Sequence, residues 1–201
     1  MKTSLYVLLL IATISLSCKS GKKENVDINT DKTERTSSLI FPEEVHFKSL
    51  RQITFGGDNA EAYWSFDDTQ IVFQSNNKKW NVSCDQMFLM NAEDTFDSIP
   101  PPMISTGKGR TTCAYFLPDN KHIIYASTHL SADECPEIPI RKEGKYVWPI
   151  YAAYDIFVTD LEGNIENQLT FENGYDAEPT VSPKGDKIVF TSTRKDRKSV
   201  V

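Results

Sequence analysis

One short pattern recurs three times along this chain, and it limits the available folds more than any property of composition. Its third copy reads Tyr175-Asp176-Ala177-Glu178-Pro179-Thr180-Val181-Ser182-Pro183-Lys184-Gly185-Asp186-Lys187-Ile188-Val189-Phe190-Thr191-Ser192. A short apolar segment enters a tight turn and leaves as a β-branched and aromatic run, which predicts a β-hairpin. The earlier copies start at Glu61 and Cys113, and Ile71, Ile123 and Ile188 superpose without gaps inside the motif. Trp64, Phe116 and Val181 form a second equivalent set, and Phe73, Tyr125 and Phe190 a third.

Each unit also carries a second strand pair: residues 86–91 match 155–160, and residues 51–55 match 167–171. Four short strands repeated at a few tens of residues predict an all-β chain built as β-propeller blades of four antiparallel strands. The repeat spacings are 52 and 65 residues. A plain blade takes roughly 40 to 45, so loops have grown. Blade one is expected over residues 60–106, blade two over 111–171 and blade three over 177–201. That is about two and a half blades of a ring that needs roughly four to eight, so the expectation is an incomplete propeller, a fragment of a larger ring. Residues 51–55 lack inner strands of their own, and their partner is expected near the C-terminus, as in a ring closed without a free edge.

The order Leu-Thr-Phe, then a Trp-Ser-Pro-Asp-Gly-like turn, then Ile-Val-Phe-x-Ser, then Ile-Phe-x-x-Asp resembles the WD-like repeat of TolB-type β-propeller proteins over roughly residues 50 to 194. Phe66 stands where the family has Pro, and Asp68 and Asn120 stand at the turn Gly; Asp and Asn tolerate the left-handed backbone such a turn needs. The resemblance implies a non-catalytic module that contacts envelope protein or peptide partners. Propellers of this type also precede the catalytic domain of prolyl oligopeptidase-like serine peptidases, which gives an alternative reading requiring a further domain. A carbohydrate-binding or sugar-processing envelope propeller is a third.

Residues 1–17 combine Lys2 with an apolar run from Leu5 to Leu16, too short to span a bilayer comfortably and read as a signal peptide. Ser15-Leu16-Ser17-Cys18 resembles a bacterial lipoprotein cleavage site, with the usual Leu one place nearer the Cys. Cys18 is therefore the expected lipidation site, and an acyl anchor is the only membrane contact expected. Residues 18–45 are polar and read as a flexible tether; residues 46–201 carry the partial propeller. The expected location is the bacterial envelope, on its periplasmic or surface face. A net charge of −6 argues against a nucleic-acid surface.

On propeller geometry, the start of each innermost strand and the loop between second and third strands share one rim of the channel. Glu61, Asp176 and Glu178 fall there and could draw a basic peptide, a cation or an amine. The insertion at residues 130–153 interleaves Tyr146, Trp148 and Tyr151 with Pro and basic residues, as a partner-binding lid would. Repeated aromatic positions such as Trp64 and Phe116 are expected in the core between sheets. Export favours one disulfide among Cys84, Cys113 and Cys135; Cys113 with Cys135 is the first choice and Cys84 with Cys113 the second. His129, Asp133, Glu134 and Cys135 lack the spacing of a zinc motif, so no metal or other cofactor is expected. No Gly-x-Ser-x-Gly elbow or His-Glu-x-x-His helix is present, and no catalytic residue is assigned.

Overall fold

The structure, a computed structural model, describes residues 39–140, 143–145 and 148–194. The chain divides into two compact units, Met1–Arg51 and Gln52–Val201. The described part of the first is a run of turns, in which the Phe41 amide donates to Glu44 Oε2 at 2.9 Å and Phe41, Val45 and Phe47 remain exposed. Too few apolar side chains lie close together here to exclude water from a core.

The second unit holds nine strands among its described residues, all paired antiparallel: β1 (Asp58–Trp64), β2 (Gln70–Asn76), β3 (Gln86–Asn91), β4 (Thr111–Phe116), β5 (His122–Ser127), β6 (Asp155–Asp160), β7 (Ile165–Gln168), β8 (Asp176–Val181) and β9 (Ile188–Ser192). They form sheets β1-β2-β3, β4-β5-β6-β7 and β8-β9, the incomplete blades that the repeats predict. The three hairpins share one register, with Trp64 opposite Ile71, Phe116 opposite Ile123 and Val181 opposite Ile188. At their turns Asp68, Asn120 and Gly185 take φ of 59°, 54° and 72°. Each donates its amide to the residue three before, Ser65, Leu117 or Ser182. Gly185 meets a second demand, because a Cβ there would stand 2.6 Å from Cγ of Pro118 in the neighbouring blade's turn.

The fourth strand of blade one shrinks to a single bridge between Phe88 and Met103, with Ile104 donating to the Met87 carbonyl. Pro100, Pro101 and Pro102 precede it and supply no amide hydrogens, so a longer ladder cannot form. Among the described residues, 53–55 do not pair near the C-terminus as expected. They bond instead to blade one's own loop, where the Phe55 amide donates to the Phe96 carbonyl at 3.2 Å and the Phe96 amide to that of Ile53 at 2.8 Å.

Blade two lies between the other two. Val72, Met87, Leu89 and Ile104 of blade one pack on Ala114, Phe116, Ile123, Tyr125 and Phe157, while Ile124, Ala126 and Ile156 pack on Ala177 and Val181 of blade three. Middle strands are therefore covered on both faces, which is why their apolar residues run consecutively rather than alternating. Burying each Phe or Ile in these seams stabilises by roughly 1.5–3 kcal/mol. The far face of blade one is sealed by its own chain: a single 3-10 turn at Lys78–Trp80, capped by the Asn77 side chain, lays Trp80 edge-on against Phe73 and Phe88. Phe116 and Val181 are buried as expected, but Trp64 is 53% exposed, because the face it shares with its partner Ile71 points away from blade two.

Candidate functional site

The innermost strand of every blade breaks register at one place: between Ala60 and Tyr63, between Thr112 and Tyr115, and between Ala177 and Thr180. Within each break one residue is left-handed, Glu61 at φ 49°, Cys113 at 50° and Glu178 at 58°. A non-glycine residue held there costs about 1–3 kcal/mol and persists only where the surrounding ladder imposes it. Such bulges re-aim side chains, and these three turn theirs toward one another. Burial is the main reason the half-buried Cys113 thiol is pushed up to about 11, and the Glu61 and Glu178 carboxylates add to it. At neutral pH the thiol is protonated and poorly nucleophilic.

Both carboxylates are hydrogen-bonded. Glu61 accepts from Tyr63 OH at 2.7 Å, which with burial lifts that phenol to about 12, and Glu178 accepts from Thr191 Oγ1 at 2.6 Å. Tyr175 is raised too, first by burial and then by the Glu178 charge, while the Trp148 indole works against that rise. Glu61 thus contacts Tyr63, while Glu178 and Trp148 both act on Tyr175.

Asp176 does not belong to this rim. It is fully buried and gripped by Arg194, whose Nε and Nη2 donate to its carboxylate at 3.0 and 2.8 Å, so it ties the two ends of the blade-three hairpin together. The sequence marks Asp176 as a strand-start acid but does not reveal which side of the sheet it takes. Tyr146 and Cys18 lie outside the described residues.

Beside the rim opens a cavity of about 380 Å³. One wall is the insertion, which contributes Ile138, Pro139, Trp148, Pro149 and Tyr151, as a lid over its own scaffold would. The opposite wall is sheet: Asp58 and Gln74 of blade one, Arg110 and Tyr154 of blade two, Tyr175 ahead of β8. Arg110 and Asp85 form an ion pair there with side chains only 18% and 14% exposed, and Thr111 fixes the Asp85 carbonyl by two bonds of 3.0 Å. Sequence reasoning missed this pair and Tyr154, because nothing in linear spacing marks residues 25 apart as partners.

The insertion is pinned by a disulfide, though not the expected one. Cys84 pairs with Cys135 at a Cα separation of 6.0 Å, and Cys113 is free. The bulge in β4 sets Cys113 near the carboxylates of Glu61 and Glu178 instead. Cys84, in the loop ahead of β3, is left beside the insertion. Asp133 adds a carbonyl bond from Gly109 and an ion pair with Lys108 at 3.0 Å, and Tyr151 OH donates to the Glu137 carbonyl at 2.9 Å. His129 packs against Phe157, with ring centroids 4.5 Å apart and planes tilted by 50°. Among the described residues no three His, Cys, Asp or Glu side chains converge as metal ligands, and no helix is long and apolar enough to cross a membrane.

No family model and no curated protein matches the chain. Among matching solved structures is one described as "putative TolB from Agrobacterium tumefaciens", with 18% identity and a TM-score of 0.48 over 74% of this chain. The chain spans 44% of the length of that protein.

Proposed function

We propose that this chain is a non-catalytic, TolB-like β-propeller module of the bacterial cell envelope, anchored through a lipid on Cys18, that binds a protein or peptide partner at its acidic rim. The observation that carries the reading is the cavity walled by the insertion, whose lining includes Ala60, next to Glu61 in the chain, and Tyr175, which interacts with Glu178. A concave, partly aromatic site with a few fixed polar groups is the usual form of a recognition site, and loops held on a rigid sheet commonly supply it. Among the described residues, no side chain lining the cavity pairs a nucleophile with a base: the thiol of Cys113 nearby is protonated, and the buried acid Asp85 is neutralised by Arg110. Such a lining favours holding a ligand over transforming it. The sequence pattern of signal, Cys18 and polar tether supports the envelope location.

Photo-crosslinking tests the reading. A benzoyl-phenylalanine at position 148 in the full chain, expressed in bacterial cells, is expected to give one or a few discrete envelope adducts. These should fade when Glu61→Gln and Glu178→Gln are combined. Equal labelling from position 148 and from the exposed turn at Lys184 would overturn a rim-directed partner.

A further inference from the structure

The cavity specifies its occupant more narrowly than an envelope partner, provided that the proposed binding role holds. Its charges do not cancel. Asp85 is spent on Arg110, whereas Asp58 makes no side-chain hydrogen bond or ion pair among the described residues. One carboxylate is therefore left on the cavity lining, with Glu61 on the same strand and Glu178 on β8 to deepen the negative potential. Trp148, Tyr151, Tyr154 and Tyr175 line the same cavity, and an aromatic ring attracts a cation by about 0.5–2 kcal/mol where the cation lies over its face.

A second, independent feature is Gln74. Its side chain is only 8% exposed, and its Oε1 accepts the Cys113 amide at 3.4 Å, yet its amide nitrogen donates to no described residue. A donor left open on a cavity wall is available to an acceptor inside the cavity. Water can accept from it, but a peptide carbonyl can also.

We propose that the cavity takes an arginine side chain of an extended peptide, with its guanidinium at Asp58 and the aromatic wall and a neighbouring main-chain carbonyl at Gln74. The volume of about 380 Å³ admits one long side chain with its flanking peptide units and little more. Guanidinium is favoured over ammonium because it is planar, weakly hydrated and stacks on rings while bonding a carboxylate in a fork. A neutral sugar would also stack, but it would leave the Asp58 charge uncompensated.

Calorimetric titration of the full chain with acetyl-Gly-Arg-Gly-amide, its lysine and citrulline counterparts, and chitotriose decides the matter. The arginine peptide should bind saturably, and more tightly than the lysine peptide. The citrulline peptide, equal in shape but uncharged, should bind about tenfold or more weakly. Asp58→Asn should erase that difference, and because Asp58 is exposed this variant should fold as the parent does. Trp148→Ala should weaken binding without changing the preference for charge. Equal binding of the arginine and citrulline peptides, an Asp58→Asn protein that still discriminates, or saturable binding of chitotriose alone would each overturn the proposal. So would the lack of saturable heat up to millimolar peptide, and a positive cross-link at position 148 in that case would leave the broader partner reading standing.

Discussion

Cys84 and Cys135 are 51 residues apart in the chain and 6.0 Å apart at Cα, joining the loop ahead of β3 in blade one to the insertion that walls the cavity. The bond thus crosses from one blade to the insertion of the next. Closing a loop of that length removes on the order of 4 kcal/mol of unfolded-state entropy in the chain-entropy model. Cys135→Ser should therefore destabilise by about 2–4 kcal/mol, measured by urea unfolding with and without reductant. Limited proteolysis should then cut within residues 130–153 first. An unfolding midpoint that does not change would show that the crosslink adds nothing to the native ensemble.

Gly185→Ala should destabilise through two effects that act together. The residue sits at φ 72°, and its new Cβ would lie 2.6 Å from Pro118 Cγ, so either the turn or the packing between blades must shift. A loss above about 1 kcal/mol is expected. Pro118→Ala in the same chain should recover part of that loss, since it removes the atom in the way. Independent, additive losses in the double variant would show that the two turns do not touch in solution.

Cys113 should be slow to alkylate. With its thiol raised to about 11, chiefly by burial, the rate of iodoacetamide labelling should climb continuously between pH 7 and 10 rather than level off near an ordinary cysteine pKa. Combining Glu61→Gln with Glu178→Gln should lower the apparent pKa only in part, because the carboxylates are the lesser cause. A plateau below pH 9 in the parent protein would contradict the placement of the thiol.

His122 lies between two carboxylates at the opposite ends of the strands, with Nδ1 at 2.5 Å from Asp119 and Nε2 at 2.9 Å from Glu166. The Asp119 hydrogen bond raises its pKa above the ordinary 6.5, helped by both negative charges and opposed by slight burial. A raised folded-state pKa means that the stabilisation is fully present below about 6.5 and is lost as pH climbs through the folded value. His122→Gln should flatten that part of the stability profile. The measurement is urea unfolding from pH 5 to 9, alongside NMR titration of the ring; a ring that titrates at or below 6.5 would refute the pairing.

Much of the fold was legible in the residues themselves. Repeated turns, apolar strands and their register are local properties: Asp68, Asn120 and Gly185 announce a left-handed turn, and Ile71, Ile123 and Ile188 mark the start of the returning strand. The proline run at 100–102 marks an interruption before blade one's fourth strand. The site was legible only in part. Equivalence by repeat was enough to put Glu61, Cys113 and Glu178 at one level, and the composition of the insertion suggested a lid, but neither reveals side-chain direction.

Direction was decided by tertiary structure. A bulge adds one residue to a strand and turns the next side chains to new faces, so Cys113 went inward to the glutamates and left Cys84 to reach Cys135. A sheet has two sides, and only the packing of Arg194 against blade three determined that Asp176 would be buried as an ion pair while Glu178, two residues on, stayed open. Backbone preferences are read from neighbours in sequence and so can be seen in it. Which charges become partners depends on how the sheets stack and where the loops return, and that depends on contacts between residues far apart in the chain.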